Sequence, residues 1–341
     1  MKPRWEDVIA RVRGLGTHLL ERSRLEDLAR APDLAALGEA LRGLGFLVEE
    51  TAATPAALDL AVRRAAAAHV RVLARWCGWR AAILAVVFED EDRRSLRALL
   101  RGAVQGASPE ARLAGLIPTP ALPERALQTL ARESVPGRIA ALLVAWGNPY
   151  GAALLPLAAA ERPDLFRLEV ALSRTVARRA LAAAGRAGRR SELSGFVRET
   201  IDLENLYAAL VLAAAESDVA PKDAFVPGGE RISIADFEAA IALGGPAEAA
   251  RTLAGAFADA PLLAAAIRRR AQSPGRLEEE CLAARIAALR AAARRRPLSL
   301  APVLLHALRL RAQLLDLRRA VWGLALGAPA ATLAQDLVTV P

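Results

Sequence analysis

The sequence predicts an all-α protein, on three observations. Ala and Leu dominate a chain that is 54% hydrophobic but only 4% aromatic. Both are strong helix formers, and the β-branched and aromatic residues that favour strands are sparse. Apolar residues recur at helical spacing, and the clearest of these stretches resemble one another at nearly constant separation, with Pro- and Gly-rich breaks between them. At 341 residues the chain has apolar material for more than one core.

The first repeated stretch is Asp92-Arg93-Arg94-Ser95-Leu96-Arg97-Ala98-Leu99-Leu100, and the second is Asp202-Leu203-Glu204-Asn205-Leu206-Tyr207-Ala208-Ala209-Leu210. A weaker third copy is Leu317-Arg318-Arg319-Ala320-Val321-Trp322-Gly323. The equivalent leucines, Leu96, Leu206 and Leu317, lie 110 and 111 residues apart. The third copy departs from the others by carrying Gln313 where they have Asp92 and Asp202. Each copy reads as an amphipathic helix. Leu96, Leu99, Leu100 and Ala103 form one stripe, as do Leu203, Leu206, Tyr207 and Leu210, and Leu314, Leu317, Val321 and Leu324. In a second register, Pro32, Pro136 and Pro246 each open an Ala-rich stretch, as prolines before helices commonly do.

Breaks separate the copies. Three prolines fall within Pro118-Thr119-Pro120-Ala121-Leu122-Pro123, which cannot be helical throughout. Val226-Pro227-Gly228-Gly229 is a second break. Cuts there give three segments, 1–116, 117–228 and 229–341, each expected to be a small helical bundle. Near the start, Gly14 and Gly16 each cost a helix interior about 1 kcal/mol, so the first helix is expected to be bent or shortened.

Several function classes find no support. The net charge is +9, but it is spread as +3, +1 and +5 over the three segments, with no basic tail. All basic residues except Lys2 and Lys222 are arginine, a compositional bias rather than a nucleic-acid footprint. A P-loop needs lysine followed by Ser or Thr, and Lys2 precedes Pro3 while Lys222 precedes Asp223. His18, His69 and His306 are far apart in sequence and show no zinc-ligand spacing, so no metal or cofactor is expected. Cys77 and Cys281 read as reduced core residues. No apolar run reaches the ~20 residues of a membrane span, and charges interrupt the first segment where a signal peptide would need an apolar run. A cytoplasmic protein is expected.

Candidate contact residues come from the repeat motifs and the loops. The acidic run Glu89-Asp90-Glu91-Asp92, followed by Arg93 and Arg94, reads either as a patch for a basic partner or as a solvated turn near a helix N-terminus. Asp202, Glu204 and Asn205 stand similarly in the second copy, and Tyr150 lies in the loop Pro149-Tyr150-Gly151. Arg294-Arg295-Arg296 stands before Pro297, and Arg268-Arg269-Arg270 before Ser273-Pro274-Gly275; both read as helix ends. Their sharper reading is attraction to anionic lipid, at about 1 kcal/mol per basic group near a surface.

These residues resemble a known family, the C subunits of prokaryotic V/A-type ATPases, to which the eukaryotic d subunit is related. The start Val8-Ile9-Ala10-Arg11-Val12-Arg13 with Leu19-Leu20, the stretch Phe88–Leu100 ("FEDEDRRSLRALL"), the stretch Phe196–Leu210 ("FVRETIDLENLYAAL") and the loop Asp223–Gly229 are each similar to the family's pattern in order and spacing. The resemblance implies three pseudo-threefold related helical bundles forming a funnel. It implies a non-catalytic rotor part on the cytoplasmic face of the membrane, which binds the proteolipid ring and the central shaft and passes torque between them. It implies no cofactor, no small-molecule substrate and no nucleic acid. The other reading of the same features is a helical-repeat scaffold or protein-interaction module, binding other partners, nucleic acid through its arginines among them.

Overall fold

The computed structural model describes residues 5–47, 52–188, 191–214, 219–270 and 276–339, and among them every regular element is helical. An opening helix, α1 (Glu6–Gly16), precedes three runs of similar order. The first has α2 (Arg22–Ala29), α3 (Leu34–Gly43), the long α4 (Pro55–Cys77) and α5 (Ala81–Val104), and the single-turn α6 (Pro109–Leu113). The second has α7 (Glu124–Arg132), α8 (Pro136–Ala145), α9 (Gly151–Ala158), the long α10 (Leu165–Ala187) and α11 (Glu192–Ala214), and the short α12 (Pro221–Ala224). The third has α13 (Ile234–Ala242), α14 (Pro246–Ala254), α15 (Pro261–Arg270), the long α16 (Leu277–Arg295) and α17 (Ala301–Ala325), and the short α18 (Ala330–Gln335). The repeat leucines Leu96, Leu206 and Leu317 fall in α5, α11 and α17 and are all buried.

Local chemistry sets these boundaries. Thr54 caps α4 by accepting the Ala57 N–H, and Pro55 occupies the first turn, where a missing N–H costs nothing. Asp164 caps α10 in the same way. Ser233 and Asp236 form a reciprocal capping box on α13. Pro136 and Pro246 do open α8 and α14. Pro32 lies just outside α3, because the Asp33 carboxylate accepts the Ala36 N–H and takes the cap itself. The two breaks near 117 and 228 lie between helices. The opening helix tolerates Gly14 in its last turn and ends at Gly16. Arg294 and Arg295 close α16 ahead of Pro297, as a helix C-terminus prefers. Ser273-Pro274-Gly275 lies outside the described residues.

The helices gather into two compact units. The first comprises Trp79–Leu113 and Ala121–Ala284. Within it α10 packs along α5 and α11, while α11 packs on α13 and α14. Leu206 and Leu210 join Phe237, Leu253 and Phe257 in one core, with Phe225 edge-on to Phe237 at 5.5 Å between ring centroids. Gly151 lets α8 and α9 meet closely: a Cβ there would fall 2.5 Å from the Val144 nitrogen. The second unit comprises Arg4–Gly78, Ala114–Pro120 and Arg285–Pro341. There α17 is the central helix, packed against α1, α2, α4 and α18. Its stripe Leu314, Leu317 and Val321 is buried, as are Ile9 of α1, Leu25 of α2 and Leu58 of α4, the helices it packs against. Cys77 and Cys281 are both buried and form no disulfide.

Candidate functional site: an ion ladder and anchored loops

In the first unit the α5 residues Glu89, Arg93, Arg97 and Arg101 stand four apart and so share one helix face. That face meets α10 and α11, and each of the four is matched. Arg179 of α10 donates to the Glu89 carboxylate at 2.7 Å. Arg93 pairs with Glu204 of α11, and also donates to Asp90 at 2.6 Å. Arg97 donates to Glu204 at 2.7 Å and to the Ser173 hydroxyl at 2.6 Å. Arg101 grips Glu169 of α10 with two nitrogens at 2.5 and 2.6 Å. Arg94 pairs with Glu278 and donates to Asp90 at 3.2 Å. Three long helices are therefore cross-linked at successive turns by charge-assisted bonds, the strong and directional class.

The electrostatics favour the charged forms. Burial works to raise the Glu204 carboxyl, but Arg93 and Arg97 outweigh it and hold the group below its ordinary range. Burial likewise opposes ionisation of Asp90, and Arg94 and Arg93 overcome it. Tyr150, at the start of α9, is raised by burial and by the nearby Glu89 and Asp92.

A second arrangement fixes loops to helices. In α11, the buried Asp202 carboxylate accepts the backbone N–H groups of Glu230, Arg231 and Ile232 at 3.1–3.2 Å. One turn on, Asn205 both donates to the Val226 carbonyl and accepts the Val226 N–H, each at 2.8 Å. The loop from Val226 to Ile232 is thus held at both ends. Its glycines are required. A Cβ on Gly229 would lie 2.1 Å from Asp202 Oδ1, and Gly228 has φ +111°, in the left-handed region. In the second unit α17 does the same work. Asp316 accepts the N–H groups of Val338 and Thr339 at 2.7 and 2.9 Å, and the Gln313 side-chain oxygen accepts the Leu20 N–H at 2.6 Å. Asn205 and Asp316 lie 111 residues apart, as do Asp202 and Gln313. Gln313, the departure from the repeat motif, keeps the acceptor role without the charge.

The contact candidates read from the sequence are therefore mostly interior. Asp92, Arg93, Asp202, Asn205 and Tyr150 are buried, while Arg94 and Glu204 are partly buried and paired. The acidic run from Glu89 to Asp92 is neither a solvated turn nor near a helix N-terminus. The Ala-rich stretch before it starts α5 at Ala81, which places the run in mid-helix with Glu89 and Asp92 buried. The ladder and anchor side chains that the motif reading missed are Arg97, Arg101, Glu169, Arg179 and Asp316. The four-residue charge spacing in α5 points to Arg97 and Arg101, and the 111-residue spacing from Asn205 points to Asp316, while no short-range signal marks Glu169 and Arg179 in α10.

The histidines are also placed differently from their sequence spacing. His69 and His306 stack in the second unit, with ring centroids 5.7 Å apart. Burial first, then His69 and Arg309, push His306 down to about 3. His69 is lowered too, by burial and by His18. Among the described residues no group of His, Cys, Asp and Glu could hold a metal ion. The sign of the pH effect follows. His306 takes a proton near 6.5 when unfolded but stays neutral when folded, so stability is complete above that value and falls as pH drops through it toward 3. Between pH 7 and pH 5 the His306 contribution to unfolding free energy should fall by roughly 2 kcal/mol, and His306→Phe should remove most of that loss. Paired urea titrations at the two pH values check this.

No helix of the described residues is long and apolar enough to cross a membrane. A family model described as the ATP synthase (C/AC39) subunit matches residues 8–335, nearly the whole chain. The chain belongs to this family. The C/AC39 match begins in α1 and ends in α18, so it spans both the ion ladder and the anchored loops. The family is that of a subunit of an ATP synthase, and the resemblance seen in the α1, α5 and α11 motifs is that membership. Against individual curated proteins, the C/AC39 chain has no match.

Proposed function

We propose that this chain is the non-catalytic central-stalk part of a V/A-type rotary ATPase, coupling the central shaft to the proteolipid ring on the cytoplasmic face of the membrane. The observation that carries the reading is the family match across residues 8–335. The physical character of the site agrees with it. A torque-transmitting part must resist sliding of its helices, and close-packed interiors with directional cross-links transmit strain rather than absorb it. The ladder from Glu89 to Arg101 is such a cross-link, set where α5 meets α10 and α11.

In this reading the segments 1–116, 117–228 and 229–341 are three related parts of the rotor body. Asp92, Arg93, Arg94, Asp202, Glu204, Asn205 and Tyr150 serve partner contact indirectly, by holding helices and loops in place. The exposed apolar side chains, including Trp79, Trp146, Leu298 and Leu326, supply surface of the kind that assembly buries.

The test is affinity purification of the tagged chain from mildly detergent-solubilised membranes, followed by mass spectrometry. Shaft, head and proteolipid subunits should follow it in fixed proportion. Recovery of none of them, from cells that hold the complex, would overturn the rotor reading and favour the scaffold.

A further inference from the structure

The second unit contains a cleft of about 790 Å³ between α1, the turn into α2, the end of α16 and the start of α17. Its volume is within the range of small-molecule sites. Four arginines line it, Arg13, Arg290, Arg294 and Arg309, against the single carboxylate of Glu21. Arg13 is engaged at one edge, donating to the Pro297 carbonyl at 2.8 Å. Arg294 and Arg309 make no hydrogen bond, and no ion pair within 4.0 Å, with any described residue. Burial and the neighbouring Arg290 both disfavour the charge on Arg309, and Glu21 only partly offsets them.

His306 also lines this cleft, although only 4% of it is exposed. Neither ring nitrogen has a hydrogen-bond partner. A buried polar group in this state forgoes bonds that water or a ligand would supply. The Nδ1 edge faces Gly16, another lining residue, at 4.0 Å from where a Cβ would stand. Both ring nitrogens are buried, and the glycine at the end of α1 places no side chain against Nδ1. The charged and titratable groups that act on His306 are His69 from α4 and Arg309 along α17, while Arg290 and Glu21 line the same cleft.

We propose that this cleft binds a small phosphate-bearing anion, held by Arg309 and Arg294 at its rim and by His306 at its floor. Guanidinium groups match phosphate oxygens in geometry and charge. A dianion would relieve the repulsion between Arg309 and Arg290 and give the imidazole an acceptor, so binding would draw a proton onto His306. The site is independent of the coupling role proposed above, since it is read from the second unit alone.

Isothermal titration of the full chain with inorganic pyrophosphate tests this, with a hexaglutamate peptide as the comparison. Saturable one-to-one binding of pyrophosphate is expected, weakened about tenfold or more by Arg309→Gln and by Gly16→Leu. In wild type, the measured heat should vary with the ionisation enthalpy of the buffer, and this dependence should fall in His306→Gln. Arg294→Gln, at an exposed position, serves as a second rim variant should Gly16→Leu fail to fold. The absence of saturable pyrophosphate binding at millimolar concentration overturns the proposal, as does an affinity unchanged in both rim variants. Binding of hexaglutamate without pyrophosphate also overturns it, and assigns the cleft to an acidic protein segment.

Discussion

Replacing Glu204 with alanine should destabilise the chain by about 3 kcal/mol or more, within the 3–5 kcal/mol range for removing one partner of a buried ion pair. Glu204 is the shared acceptor of Arg93 and Arg97. Arg93 is only 3% exposed at its side chain, so its charge cannot turn to water when the partner is lost. Asp90 remains beside it at 2.6 Å, which places the expected loss toward the lower end of the range. Glu204→Gln keeps the volume and one acceptor and should lose less, about 1–3 kcal/mol. The urea midpoint reads both. Two further results separate this account from a loss of packing. Since the pair is mostly buried, the difference between wild type and Glu204→Ala should change little with added salt. And because the arginines hold the Glu204 carboxyl below its ordinary range, the stability it contributes is present above the normal glutamate pKa and lost as pH falls below it. The gap between wild type and variant should therefore narrow in acid.

The same pair shows what the sequence made legible. Helical periodicity located the long helices α5, α11 and α17 through Leu96, Leu206 and Leu317, because burial of an apolar stripe leaves a regular trace in the chain. The Pro- and Gly-rich breaks located the connections, because they act through backbone geometry that any neighbourhood must obey. Charge was harder to place. Glu89 to Asp92 reads as surface by composition, and only the long-range partner Arg179, 90 residues away, makes burial of Glu89 tolerable. His69 and His306 are similar: nothing in their local sequence shows that α4 and α17 bring them into contact. Pairings across helices depend on tertiary register, which one sequence does not encode in any short window. Gln313 is the instructive intermediate. Its position was legible from the repeat, but its role was not, because an amide can replace a carboxylate where a backbone N–H needs only an acceptor.

Asp202→Ala is expected to cost roughly 2–3 kcal/mol, through a different mechanism. It removes the acceptor of three backbone N–H groups, at Glu230, Arg231 and Ile232, of which the last is buried. Each buried donor left unpaired costs about 1–3 kcal/mol. Asn205 still holds Val226, so the loop should fray from its far end only. The pH dependence distinguishes this site from the ion ladder. Burial raises the Asp202 carboxyl despite its three donors, so the folded state binds a proton more readily than the unfolded state. The raised pKa therefore favours folding at low pH, and that contribution is lost as pH rises through the range just above the normal aspartate pKa. The sign is opposite to that of Glu204. Hydrogen exchange at Glu230, Arg231 and Ile232 is the direct readout. Those three amides should lose protection in Asp202→Ala while the Val226 amide keeps most of its own, and equal loss at all four would mean that Asp202 supports the helix rather than the loop. If the rotor reading holds, this variant should still assemble with its partners but couple them less tightly. The part it loosens would be a loop held against α11, while the ladder joining α5, α10 and α11 remains intact.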